Sequence, residues 1–263
     1  MEIMGERNDA IEALLDRAAN HYGIPEMRNI TYGTNDRGET PGVYSLCYNK
    51  HQPEKEKYCG PDCFFWNWPS ASIYSFKETR DQIRKSSKIP PTIDKVGWVG
   101  NIYSPLPDVP EYKTRPLLKK YGDMYPEIFD IKHVLPQKGI IDNSIPNYAS
   151  LPELTKYKYL IDIGGNGWSG RLKFLLFMRR PLFLVDRNYI EYFYKDLVPF
   201  VHYIPVKMDL SDLLDKYMWA INHPKKTKKI AKRAYKFAVE NFTEEKICER
   251  ILYVWWNQCR LPL

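Results

Sequence analysis

An apolar run ending on Asp162 leads into Gly165, Gly167 and Gly170, and the stretch "LIDIGGNGWSGRLKFLL" (160–176) then resumes an apolar pattern of helical period. Strand, glycine-rich turn and helix in that order are the parts of a parallel βα unit. Because parallel strands need a long crossover, the motif commits the chain to an α/β fold rather than a bundle or a sandwich. It also suits an anionic ligand. Glycines permit a tight turn and close backbone approach, and the start of a helix offers unpaired N–H groups.

Three ligand chemistries fit such a turn. The G-x-G-x-x-G spacing, with Asp186 ending the next apolar run "PLFLVD" about 20 residues on, matches a nicotinamide dinucleotide fingerprint. An apolar strand ending in "DIGGNG" equally resembles the first motif of adenosylmethionine enzymes. Against both stand Trp168, bulky where dinucleotide loops favour small residues, and the cations Arg171 and Lys173 just behind it. Those cations suit a diphosphate, which arginine binds in a bidentate manner. A glycine turn with no ligand is the remaining alternative.

The rest of the second half alternates regularly. "YKYLIDI", "LFLVD" and "VHYIPV" read as strands, "YIEYFYKDL" as a helix, and helices are expected over 211–222, 224–240 and from Glu244 onward, with Thr243 as the last N-cap. The first half opens on a helix, with strands expected at "NITYGT" and "VGWVGNIYS" and a helix at "TRPLLKKYG". The pattern implies two Rossmann-like halves with the ligand between them, divided near 135–150.

The net charge of +7 points to an anionic partner. Much of it lies in "KKTKKIAKRAYK", where Ile230, Ala234 and Phe237 keep helical spacing, so a solvated helix face is favoured over a nucleic-acid patch. Five scattered cysteines lack zinc spacing and read as reduced thiols. Neither a signal peptide nor an apolar run of the ~18–20 residues a membrane span needs is visible, which gives a cytoplasmic expectation.

The strings "YKYLIDIGGNGWSGRLKFLL", "YIEYFYKDLVPFVHYIPVKMDLSDLL", "AKRAYKFAVENF" and "PDCFFWNWPSASI" resemble the CAP10-like glycosyltransferases, a family that includes Rumi-type protein O-glucosyltransferases and capsule xylosyltransferases. The resemblance implies a GT-B architecture: residues 1–140 as an acceptor-side Rossmann-like domain, and 141–263 as the UDP-sugar-binding one, its last helix packing back on the first. It also implies transfer of glucose or xylose from a UDP-sugar, with inversion, to a hydroxyl of a glycan or protein. No metal is expected, and the chain contains no D-x-D. The alternatives are a nicotinamide or adenosylmethionine enzyme on the same loop, or a non-catalytic sugar-binding module.

By the same resemblance the donor diphosphate falls to Asn166, Gly167, Trp168, Ser169, Gly170 and Arg171. Where the family has an R-G-S turn this chain has "VGN", retaining Gly100 and Asn101, and Arg115 in "TRPLL" matches a further donor-contacting arginine. Inverting transfer needs a base for the acceptor hydroxyl. Asp36, at the end of "NITYGT", is the candidate, with Asp62 beside the aromatic block as its competitor. Trp66, Trp68 and Tyr74 suit sugar stacking or core packing. Glu191 is a candidate partner for the donor ribose, and His202 reads as structural.

Overall fold

The structure, a computed structural model, describes residues 2–39, 41–103, 110–135 and 144–259. The chain opens with α1 (Glu2–Tyr22) and passes a short strand β1 (Tyr48–Asn49) before α2 (Phe76–Ser86), β2 (Ile93–Gly100), α3 (Pro110–Met124) and β3 (Phe129–His133). After these come β4 (Tyr157–Asp162), α4 (Leu172–Leu176), β5 (Leu182–Val185), β6 (Tyr189–Ile190) and β7 (Ile204–Val206). The helices α5 (Leu213–Asn222), α6 (Pro224–Asn241) and α7 (Glu244–Cys259) complete it.

One five-stranded sheet, all parallel, has the order β3-β2-β4-β5-β7. The order reverses between β2 and β4: the chain builds outward to β3 on one side and to β5 and β7 on the other. Such a reversal opens a crevice at the carboxyl ends of the strands, where open α/β sheets bind ligands.

Both faces of the sheet are covered, and the strands alternate accordingly. Leu160, Leu182 and Leu184 join a core with α1, α2, α4, α6 and α7, whereas Tyr159, Ile161, Phe183 and Val185 pack on the opposite side with Leu118 of α3 and Leu213 of α5. A period of two within a fully buried run is what a central parallel strand requires. Thr243 Oγ1 accepts the Lys246 N–H at 3.2 Å and caps α7, which packs against α1.

Three expectations need correction. The division at 140/141 does not divide the sheet: β2 and β3 lie before it, β4, β5 and β7 after it, and all five share one hydrogen-bonded layer. The described residues therefore build one Rossmann-like sheet rather than two facing ones. "NITYGT" forms only an isolated bridge, Tyr32 to Tyr44, because it packs across loops at the site instead of entering the sheet. "YIEYFYKDL" is not a helix but β6, paired with β1, followed by a short 3-10 turn over Tyr194–Asp196. Its Ile190, Phe193 and Leu197 are buried at helical spacing, yet Glu191 must turn inward to an ion pair, and that breaks the period.

Among the described residues no helix is long and apolar enough to cross a membrane.

Candidate functional site

A cavity of about 520 Å³ occupies the crevice between the ends of β2 and β4. All ten residues expected at the site line it: Asp36 from the first half, Gly100, Asn101 and Arg115 around the end of β2, and the run 166–171 from the glycine loop.

Two arginines tie its edges together. Arg115 reaches from α3 to donate through Nε to the Gly164 carbonyl at 2.9 Å and through Nη1 to the Asn101 carbonyl at 2.8 Å. Arg171 donates through Nη1 to the Val99 carbonyl at 2.6 Å. The end of β2 and the loop after β4 are thus held at a fixed separation. Both guanidinium carbons lie over the Trp98 ring, at 5.7 and 5.1 Å from its centroid, where the ring quadrupole favours a cation. Burial lowers the Arg171 pKa from its usual value despite Asp162 nearby, and an anion in the cavity would favour its charged form.

The loop rests on buried charge. Asp162, at the end of β4 and fully buried, accepts the Ser169 hydroxyl at 2.8 Å and Arg187 Nη2 at 2.8 Å. Ser169 lines the cavity, but its hydroxyl is turned to Asp162, which makes it a support of the loop. Arg187, 2% exposed, lies against Gly164 on the β5 side of the loop. There a dinucleotide would descend toward its acidic residue. Asp186, that residue in the fingerprint reading, instead pairs with Lys50 at 2.6 Å and lines a separate cavity over β5 and β7.

The glycines are occupied by the protein itself. A Cβ on Gly167 would lie 1.4 Å from the carbonyl oxygen of Asp36, and one on Gly170 would lie 2.0 Å from the Phe64 ring. Close approach at this loop therefore serves first to seat the segment around Asp36 against it. The helix that follows the loop is only Leu172–Leu176, so it supplies no long dipole to the cavity.

Among the described residues lining the cavity, Asp36 is the one carboxylate, beside three arginines, Arg7, Arg115 and Arg171. Its Oδ1 accepts from Arg7 Nη1 at 2.8 Å and its Oδ2 from Asn166 Nδ2 at 3.1 Å, with 29% of the side chain exposed. Arg7 also donates to the Thr34 carbonyl at 2.9 Å and lies over Trp68 and Trp168. Sequence reasoning missed Arg7, since a lone cation among polar helix residues carries no signal of the contact 29 positions away.

The other charged candidates and His202 lie outside the cavity lining. Asp62 is 1% exposed and accepts from Trp168 Nε1 at 2.6 Å, Lys173 Nζ at 2.9 Å and the Phe64 N–H at 3.1 Å. Thus saturated and enclosed, it is a structural anion. Lys173, expected to face a phosphate, is fully buried between Asp62 and Glu191, 2.8 Å from the latter, and donates to the Gly170 carbonyl at 2.8 Å. Those two carboxylates keep its pKa raised against burial. Burial in turn lifts the Glu191 carboxyl to about 8, with Lys173 pulling the other way. Glu191 is consequently a core group and not a ribose ligand. His202 accepts the Val198 N–H at 3.0 Å, away from the site. Among the aromatic residues Trp68 lines the cavity, whereas Trp66 and Tyr74 line another.

Residues 17–255 match the family described as Glycosyl transferase family 90. The chain belongs to glycosyl transferase family 90. A 91-residue segment is 44% identical to protein O-glucosyltransferase 2 of Danio rerio, covering 35% of this chain and 18% of that protein. A 77-residue segment is 40% identical to protein O-glucosyltransferase 3 of Homo sapiens, covering 29% and 15%. A 118-residue segment is 33% identical to uncharacterized protein 179R of Invertebrate iridescent virus 6, covering 41% and 10%. Each match thus spans less than a fifth of the curated relative. The crystal structure of Anabaena Alr3699/HepE in complex with UDP-glucose aligns with 92% of this chain and 54% of its own, at 11% identity and a TM-score of 0.39. Among the described residues no group of three His, Cys, Asp or Glu is placed to hold a metal ion.

Proposed function

We propose that this family 90 chain transfers glucose or xylose from a UDP-sugar to a hydroxyl of a glycan or protein, with inversion and without a metal. The observation that carries this reading is the cavity at the β2/β4 reversal, which three arginines and the loop 165–171 line together with the Asp36 carboxylate. The names of the O-glucosyltransferase relatives support the donor class.

The chemistry follows from the charges. The acceptor oxygen attacks the anomeric carbon from the face opposite UDP, and the bond from that carbon to the diphosphate oxygen breaks with its electron pair going to UDP. Asp36 takes the acceptor proton, its carboxylate held by Arg7 and Asn166 so that little reorganisation is needed at the moment of transfer. Arg171 and Arg115, with the loop amides, receive the negative charge that collects on UDP.

The test is incubation with UDP-glucose, UDP-xylose, NAD and adenosylmethionine, reading thermal stabilisation and UDP release. Stabilisation by UDP and release of UDP from one of the two sugars is the expected result. Stabilisation by NAD or adenosylmethionine alone contradicts it, and UDP binding without turnover on any acceptor points to a sugar-binding module.

A further inference from the structure

The turn before β7 puts three apolar residues in a row on the surface. Val198 is 47% and Phe200 41% exposed, and Pro199 between them is exposed as well. The turn is tight, closed by the Phe200 N–H on the Tyr203 carbonyl at 2.7 Å and by His202, which accepts the Val198 N–H. Phe200 holds a φ of 58°, a left-handed backbone that a bulky residue rarely adopts. A strained position that keeps an aromatic ring outside the core points to a use at the surface.

This tip borders the most cationic helix of the chain. Phe200 meets Trp219 of α5 edge to face, centroids 5.0 Å apart, and Trp219 stacks on His223, where α5 passes into α6. On its other side His202 packs against Phe237 of α6 at 5.3 Å, and burial together with Arg233 of α6 holds the His202 pKa below its usual value. The tip therefore sits beside the flank of α6 that carries Lys226, Lys229 and Arg233, spaced three and four residues apart and all exposed. Among the described residues these three cations enter no ion pair. The one acid of α6, Glu240, pairs with Lys236, and Lys216, which lies over the Phe200 ring at 5.3 Å, has Asp212 as its acid. Asp196 and Asp215, exposed on the flanking turn and on α5, leave the excess of cations along α6 in place.

Cations alone would suit any polyanion, but an exposed Val-Pro-Phe tip gains nothing from a nucleic-acid backbone. An apolar tip flanked by lysines fits the boundary of a bilayer, where anionic headgroups lie directly above the acyl chains. We propose that this face docks on a bilayer surface rich in anionic phospholipid, with Val198, Pro199 and Phe200 entering the headgroup boundary and Lys226, Lys229 and Arg233 meeting the lipid phosphates. Docking of this kind is peripheral and needs no spanning helix. It goes beyond the donor-site reading and does not depend on it.

The test sediments the full chain with vesicles of phosphatidylcholine alone and of phosphatidylcholine and phosphatidylserine in equal parts, beside a titration with duplex DNA. Binding to the mixed vesicles is expected to be about tenfold or more tighter than to phosphatidylcholine. Phe200→Asn suits the left-handed backbone and removes the ring, and Lys229→Glu reverses a charge on the exposed flank. Each is expected to weaken binding to the mixed vesicles about fivefold or more, with UDP affinity unchanged. Lys120→Glu reverses the same charge on an exposed position of α3, which packs on β3 at the far edge of the sheet from β7, and should leave binding within about twofold. Equal binding to the two vesicle types, binding to DNA as tight as to the mixed vesicles, an equal loss in Lys120→Glu, or full binding in both Phe200→Asn and Lys229→Glu overturns the proposal. UDP affinity, read on the same samples, reports separately on the donor cavity.

Discussion

Arg7 Nη1 lies 2.8 Å from Asp36 Oδ1, so a cation on the first helix holds the one carboxylate that lines the cavity among the described residues. Arg7 also donates to the Thr34 carbonyl and lies over the Trp68 and Trp168 rings. Among the described residues, removing it leaves the Asp36 carboxylate with the Asn166 amide as its hydrogen-bond partner. Arg7→Ala is expected to lower turnover at least tenfold with UDP affinity within about twofold of the parent, a loss of oriented charge of order 1–2 kcal/mol. Steady-state rates beside calorimetric UDP binding check this, and Arg7→Lys should recover part of the rate.

Gly167 makes the second prediction. Its missing Cβ leaves room for the Asp36 carbonyl, and backbone on both sides cannot give way. Gly167→Ala should separate the two segments, costing about 2–4 kcal/mol by denaturant unfolding and weakening UDP binding with it. Gly5, exposed in α1 with nothing within 4 Å of its Cβ position, is the control. Gly5→Ala should be neutral or stabilise by up to about 1 kcal/mol.

The buried cluster of Asp62, Lys173 and Glu191 sets a pH dependence. Folding raises the Glu191 carboxyl from its ordinary 4.5 to about 8, through burial first and Asp62 next, with Lys173 and Arg187 opposing. The folded chain therefore binds this proton more tightly than the unfolded one. The resulting stability is fully present below about 4.5 and is lost as pH rises toward about 8. Urea unfolding between pH 5 and 8 should show a declining slope, and Glu191→Gln should flatten it, a difference of at most a few kcal/mol. A slope unchanged by the substitution contradicts the assignment.

Asp62→Asn separates structural from catalytic carboxylates. It leaves Lys173 buried beside a neutral amide and deprives Trp168 Nε1 of its charged acceptor. A loss of about 3–5 kcal/mol in unfolding free energy is expected, of the size seen when a buried pair is broken. Asp36→Asn, at a partly exposed position, should cost under about 1 kcal/mol.

The central strands and the last three helices were legible because burial on both faces leaves near-continuous apolar runs, and because caps and charged faces mark the helices. The ten residues that the family resemblance named line one cavity, and Arg171 was reached through its place beside the glycines as well. What was not legible depends on contacts distant in sequence. Lys173 sits two positions from Arg171 and turns into the core, where Asp62 meets it from 111 positions away. Glu191 lies in a run of helical period, and the ion pair with Lys173 overrides that period. The glycines read as room for a ligand, and part of that room is filled by Asp36 and Phe64. Sequence spacing describes one segment at a time, so it cannot show which other segment will fill the gap.

The most direct measurement is UDP release from UDP-glucose and UDP-xylose by the Asp36→Asn chain, with its UDP affinity determined on the same preparation beside the parent and Arg171→Ala. Asp36→Asn should bind UDP within about twofold of the parent and release none from either sugar. Arg171→Ala should bind UDP about 10–100-fold more weakly, the worth of a charge-assisted contact. Turnover by Asp36→Asn at the parent's rate, or UDP affinity untouched by loss of Arg171, would contradict the assignment of base and diphosphate site.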